Sequence, residues 1–136
     1  MVMEQLAVEI VGLCREYGEC RVEVERMEEA RRVKNALESV CAMARQRLDI
    51  SDPALLLALL DACEVTRDEG MLQEVLDVVG RNLDRLAVSA ESVKLLACCY
   101  YYVEEEECVE RAGRMLEELR KMGRGEEELA DVETIL

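Results

Sequence analysis

The chain has 136 residues, 51% hydrophobic and 35% charged, with a formal net charge of −14 and no Phe, Trp or His. Such a length suits one α-helical domain, residues 1–136, burying roughly 70% of its unfolded surface. The acid excess removes the clustered Lys and Arg that drive phosphate binding by counterion release, so nucleic acid is not an expected partner.

The core must be assembled from Leu, Val, Ala, Met and Cys, which suits close helix packing. The apolar run Pro53 to Leu60 is far short of the ~20 residues that span a bilayer. Glu4 and Glu9 interrupt the N-terminal apolar stretch, so no secretory signal is expected and the default location is the cytoplasm. Glutamate and arginine are abundant and amides are few, as in thermophile proteins, although high genomic GC gives the same arginine bias.

In chain order, Leu6, Ile10, Leu13, Cys14 and Tyr17 follow helical spacing and predict a first helix over about 2–17, ended by Gly18. Met27, Ala30, Val33, Leu37, Val40, Cys41, Ala44 and Leu48 predict a long amphipathic second helix over about 22–48, or two helices broken near Glu28. Alternation of Val22 and Val24 with Glu23 and Glu25 leaves a short extended segment at 21–25 as an alternative. Ser51 or Asp52 then caps a helix that starts with Pro53, where a missing N–H costs nothing. Leu55, Leu56, Leu57, Leu59 and Leu60 leave that helix almost no polar face, which places it at the centre of the fold. Asp68 caps a fourth helix with the stripe Leu72, Val75, Leu76, Val79, Leu83 and Leu86. Ser89 caps a fifth, with Val93, Leu96, Tyr100 and Val103 on one face and Leu95, Cys98, Cys99 and Tyr102 on another. Val109, Ala112, Met115, Leu116 and Leu119 mark a sixth that stops at Gly123. A short last helix over about 126–135 presents Leu129, Val132 and Leu136. The expected fold is all-α, about seven helices, as stacked antiparallel hairpins or a compact bundle.

Within Pro53–Gly123, Val93, Leu96, Ala97 and Tyr100, followed by Ala112, Leu116 and Leu119, resemble the two helices of a tetratricopeptide-type hairpin. Leu57 and Leu60, then Leu76 and Val79, repeat the rhythm in the preceding unit. The spacing in the last unit is about three residues too long at Glu104–Glu107, no proline closes it, and the N-terminal third does not match. The resemblance implies peptide or partner-protein binding on a concave helical surface.

Absence of histidine removes the commonest general base and metal ligand, and with it Ser–His and Cys–His catalysis. No Gly-rich phosphate loop and no C-x-x-C pair occurs among the seven cysteines, so no enzyme activity, cofactor or metal is expected. Cys14, Cys41, Cys63 and Cys99 read as small buried hydrophobes, whereas Cys20 and Cys108, beside turns, are the better candidates for disulfides or ligands. The Glu104–Glu107 run lacks the geometry of a Ca²⁺ loop and reads as a solvated helix start.

Three consecutive tyrosines, Tyr100, Tyr101 and Tyr102, cannot all face inward on a helix; a core position with the hydroxyl reaching outward explains one or two of them, and an interface role, where tyrosine is enriched, explains the rest. Residues 21–48 carry a local charge of +2 against −16 elsewhere; this reads as a mixed solvated helix face or, through Arg31, Arg32 and Arg45, as a docking strip for an acidic partner or another copy of the chain. The expected function is a non-enzymatic module that binds another protein. A self-assembling subunit, pairing the basic strip with the acidic C-terminal half, is the alternative. An acidic mimic of nucleic acid is a minor one.

Overall fold

The computed structural model describes residues 3–123, with side chains from Gln5 onward; the helix expected over 126–135 lies outside the described residues. The fold is all-α. Among the described residues it comprises six α-helices: α1 (Met3–Cys20), α2 (Met27–Arg45), α3 (Pro53–Thr66), α4 (Glu69–Arg81), α5 (Ala90–Val103) and α6 (Glu106–Lys121). Two 3₁₀ turns, Val24–Arg26 and Leu83–Arg85, complete the regular structure, and no strand occurs among the described residues.

Local chemistry sets the starts of three helices. The Asp52 carboxylate accepts from the Leu55 N–H at 3.2 Å, and Pro53 opens α3. Asp68 does the same for α4 through the Met71 N–H at 3.0 Å. At α5 the Ser89 hydroxyl oxygen accepts from the Ser92 N–H at 3.1 Å and donates to the fully buried Ser92 hydroxyl, which satisfies that polar group.

The helices pair as hairpins, α1 with α2, α3 with α4 and α5 with α6, and the first members pack side by side in the order α1, α3, α5. They run in the same direction. The Arg21 guanidinium at the end of α1 reaches the Val65 carbonyl near the end of α3, and Glu91 at the start of α5 faces the same cavity as Ala54 and Leu57. α3 is the hub, in contact with α1, α2, α4 and α5. Leu55, Leu56, Leu59 and Leu60 are buried along it, because a helix with apolar residues on every side finds a neighbour on nearly every side. Residues of all six helices join one core cluster.

Several boundaries differ from the sequence expectation. α1 runs through Gly18 to Cys20, since Gly18 keeps a negative φ and Cys20 is a buried anchor. The segment 21–25 is neither strand nor start of α2: Val22 and Val24 are exposed at a turn whose 3₁₀ end leads into α2 at Met27. Met27 is exposed, so the buried stripe of α2 is Val33, Leu37, Val40, Cys41 and Ala44. α4 ends at Arg81, and Leu83 and Leu86 reach the core from the 3₁₀ turn and its exit. Met71, outside the expected stripe, is buried, whereas Leu72 and Leu76 are half-buried. The glutamate run straddles the α5–α6 connection, with Glu104 in the left-handed region at φ 51 and Glu106 opening α6.

Candidate protein-docking face

The side-by-side α1, α3 and α5 leave one side of their layer open. On it Ala7, Val8, Val11 and Gly12 of α1 face Ala54, Leu57 and Ala58 of α3 across a cavity of ≈ 450 Å³, rimmed by Arg15, Asp61 and Glu91. Small residues at Gly12, Ala54 and Ala58 keep the groove open. Val8 is 74% exposed and Val11 46%, because α1 buries Leu6, Ile10 and Cys14 on its other side.

Asp61 and Glu64 lie one turn apart on α3 and so share a face. Burial and the neighbouring Glu64 push the Asp61 carboxyl above the usual carboxylate range. Cys98 of α5 is half-buried opposite them, its thiol pushed up by burial, then by Asp61 and Glu64. Beyond Glu64 the strip continues into a second cavity of ≈ 330 Å³, lined by Cys63, Glu64, Arg67, Asp68, Glu69, Leu72, Tyr101 and Tyr102. Ion pairs given by the structure join Arg26 to Glu23 and Glu29, and Arg45 to Asp68 and Glu74. Arg15 and Arg67 line the two cavities, yet neither is ion-paired with Asp61, Glu64, Glu69 or Glu91.

The tyrosines divide three ways. Tyr100 is half-buried against the core. Tyr101 is 76% exposed, and its ring meets that of Tyr102 edge to face, with centroids 5.2 Å apart. Tyr102 is half-buried, and burial followed by the nearby Glu64 pushes its phenol up. The arginines do not join them. Arg31 and Arg32 are exposed on α2, which packs mainly on α1 and α3. Arg45 is committed within the chain: its Nε donates to Glu74 Oε2 at 2.9 Å, its Nη2 to Glu74 Oε1 at 2.6 Å and its Nη1 to Asp68 at 3.5 Å. That clamp ties α2 to α4 and takes Arg45 out of the docking strip.

The cysteines are free thiols. Burial pushes Cys14 up to about 11 and Cys41, Cys63 and Cys99 up to about 12, as expected of apolar thiols that are poor nucleophiles. Cys20 and Cys108, expected beside turns as candidates for disulfides or ligands, are buried free thiols as well: one closes the end of α1, and the other sits in the first turn of α6. Among the described residues, no group of three or more Cys, Asp or Glu side chains is placed to hold a metal ion.

Val8, Val11, Asp61 and Glu64 were not singled out by sequence, and Leu57 was read there as a core and repeat position, not as part of an open groove. The available signal was Val8, an apolar residue off the Leu6–Ile10–Cys14 stripe; for Leu57 there was none, because every neighbour on α3 is also apolar. Among the described residues, no helix is long and apolar enough to cross a membrane. No protein-family model, no curated protein and no solved structure matches this chain.

Proposed function

We propose that the chain is a non-enzymatic protein-binding module that docks its partner on the open side of the α1–α3–α5 layer, in the cytoplasm. The observation that carries this reading is the groove between α1 and α3, where Val8 and Val11 stand exposed beside Leu57 in a cavity with an acid rim. Exposed apolar side chains gathered in a concavity, as opposed to scattered singly, mark interaction sites. The tetratricopeptide resemblance belongs to the same proposal, and the side-by-side packing of the first helix of each hairpin supports it.

A photo-crosslinking residue at Val11 or Tyr101, in the chain expressed in its own cells, is expected to trap a protein that the same residue at Glu38 of α2 or Glu117 of α6 does not. Equal trapping at all four positions, or none at Val11 and Tyr101, would overturn the reading.

A second reading is self-assembly through α2, favoured by Arg31 and Arg32, which are exposed and in no ion pair. It requires an oligomer that dissociates as salt screens exposed charges beyond a Debye length of about 8 Å. Native mass spectrometry over a salt series separates the two: a monomer at low salt removes self-assembly and leaves the groove reading intact.

A further inference from the structure

We propose that the strip from Leu57 to Tyr101 takes a cationic amphipathic segment of a partner protein, its apolar side chains in the Val8–Val11–Leu57 groove and an arginine or lysine between Tyr101, Tyr102 and Glu64. This rests on the docking role above and names the chemistry of the partner.

The two cavities are ends of one surface. Leu57 lines the first and Glu64 the second, and Asp61 stands between them on the same side of α3. Seven residues of helix separate Leu57 from Glu64, about 10 Å at 1.5 Å per residue. A helical partner spans that with an apolar anchor and a cation two turns apart.

Charge selects the sign of the partner. Asp61, Glu64, Glu69 and Glu91 border the strip without an ion pair, against Arg15 and Arg67. Covering these acids with a neutral or acidic surface desolvates them without compensation, whereas a guanidinium or ammonium both pairs with them and meets an aromatic face. The edge-to-face tyrosines supply such a face, since Tyr101 is largely exposed and Tyr102 lines the cavity beside Glu64.

Among the described residues, α2 and the turn before it in a second copy do not meet this description. Arg31 and Arg32 lie on α2, whose apolar side chains Val33, Leu37 and Val40 are buried, so the arginines have no apolar stripe beside them. The exposed Val22–Val24–Met27 tip is apolar; of the cations near it Arg21 is held by Tyr17 and the Val65 carbonyl and Arg26 by Glu23 and Glu29, which leaves Arg31, one turn beyond Met27, as a single cation beside a single helical apolar side chain.

The test uses the full chain and three labelled helical peptides of about 14 residues, roughly 20 Å long. One has a leucine stripe and arginine flanks, one replaces arginine with glutamate, and one replaces leucine with alanine. Fluorescence anisotropy near 0.15 M ionic strength is expected to show the leucine–arginine peptide binding at least about tenfold tighter than either control. Tyr101→Ala and Glu64→Gln should each weaken it about tenfold, within the range of a desolvated cation–π or charged contact. Glu38→Gln and Glu117→Gln remove the same charge elsewhere and should change it less than about twofold. Both test positions are exposed, so melting curves near wild type confirm that folding is intact. Equal weakening by Glu38→Gln would mean attraction to the net charge alone and would overturn the inference. Equal binding of the glutamate peptide, still sensitive to Val11→Asp, would overturn the cation assignment and leave the docking face standing. No binding of any peptide, with crosslinks still trapped at Val11, would do the same. No binding and no crosslinks would remove both.

Discussion

Leu57 and Leu59 are two residues apart on one helix and chemically identical, yet the structure gives them opposite environments. Leu59 is fully buried in the layer around α3, whereas Leu57 is half-buried on the wall of the open groove. Truncating Leu59 to alanine removes its transfer free energy and leaves a cavity in the packed core that its neighbours close only in part. The expected loss is about 3–5 kcal/mol. Truncating Leu57 widens a groove already open to water, so only part of the transfer term is lost, about 1 kcal/mol. Against a total stability of about 5–15 kcal/mol for a domain, the first change is severe and the second is mild. Urea unfolding followed by helical circular dichroism reads both, and an unchanged slope with denaturant confirms that the midpoints report stability. Equal losses, or a larger loss at Leu57, would refute the hub position of α3 and the location of the groove together.

The remaining predictions use the same reasoning. Cys41, Cys63 and Cys99 are raised from an ordinary 9 to about 12, and Cys14 to about 11. The folded chain therefore holds these protons more tightly than the unfolded one; their stabilisation is full below pH 9 and is lost as pH rises from 9 toward 12. Thiolate absorbance near 240 nm is accordingly expected to appear together with alkaline unfolding, and gradual ionisation of the folded protein from pH 9 would contradict the burial. Glu104 at φ 51 and Arg67 at φ 59 hold left-handed backbone that costs an L-residue about 1–2 kcal/mol, partly offset in glycine by about 0.5–1 kcal/mol of extra chain entropy. Glu104→Gly and Arg67→Gly should each raise stability by about 0.5–1 kcal/mol in thermal melts, and a fall would show the turns to be unstrained. Arg45→Ala should cost about 1 kcal/mol, most of it absent when Glu74 is already Gln, because the bidentate pair is partly exposed; additive losses in that double-mutant cycle would deny the clamp. Asp61→Asn should stabilise the free protein by a few tenths of a kcal/mol at neutral pH, since it removes an unpaired, part-desolvated charge beside Glu64. Its stabilising effect should vanish in acid, where Asp61 is protonated, and a destabilised variant would indicate a hidden cation partner.

The sequence by itself determined that the chain is helical and where most helices begin. Period-3.6 stripes, the caps at Asp52, Asp68 and Ser89 and the proline at 53 are local signals, and each acts within a turn or two of itself. It also determined that α3 is central, because a helix apolar on every side needs neighbours on every side. The end of α1 at Cys20 was hidden, since a glycine that keeps helical dihedrals carries no stop signal. Burial of Cys20 and Cys108 was hidden too, because a position beside a turn says nothing of what packs over it. The tertiary structure alone decided which leucine of α3 stands in the open groove, that Val8 and Val11 join Leu57 there, and that Asp61 and Glu64 meet Cys98 and Tyr102 of another helix. It alone separated Arg45, clamped to Glu74 and Asp68, from Arg31 and Arg32, which a charge count treats alike. Contacts between residues 23 to 49 positions apart depend on which helices lie against which, and no periodicity within a single helix carries that information.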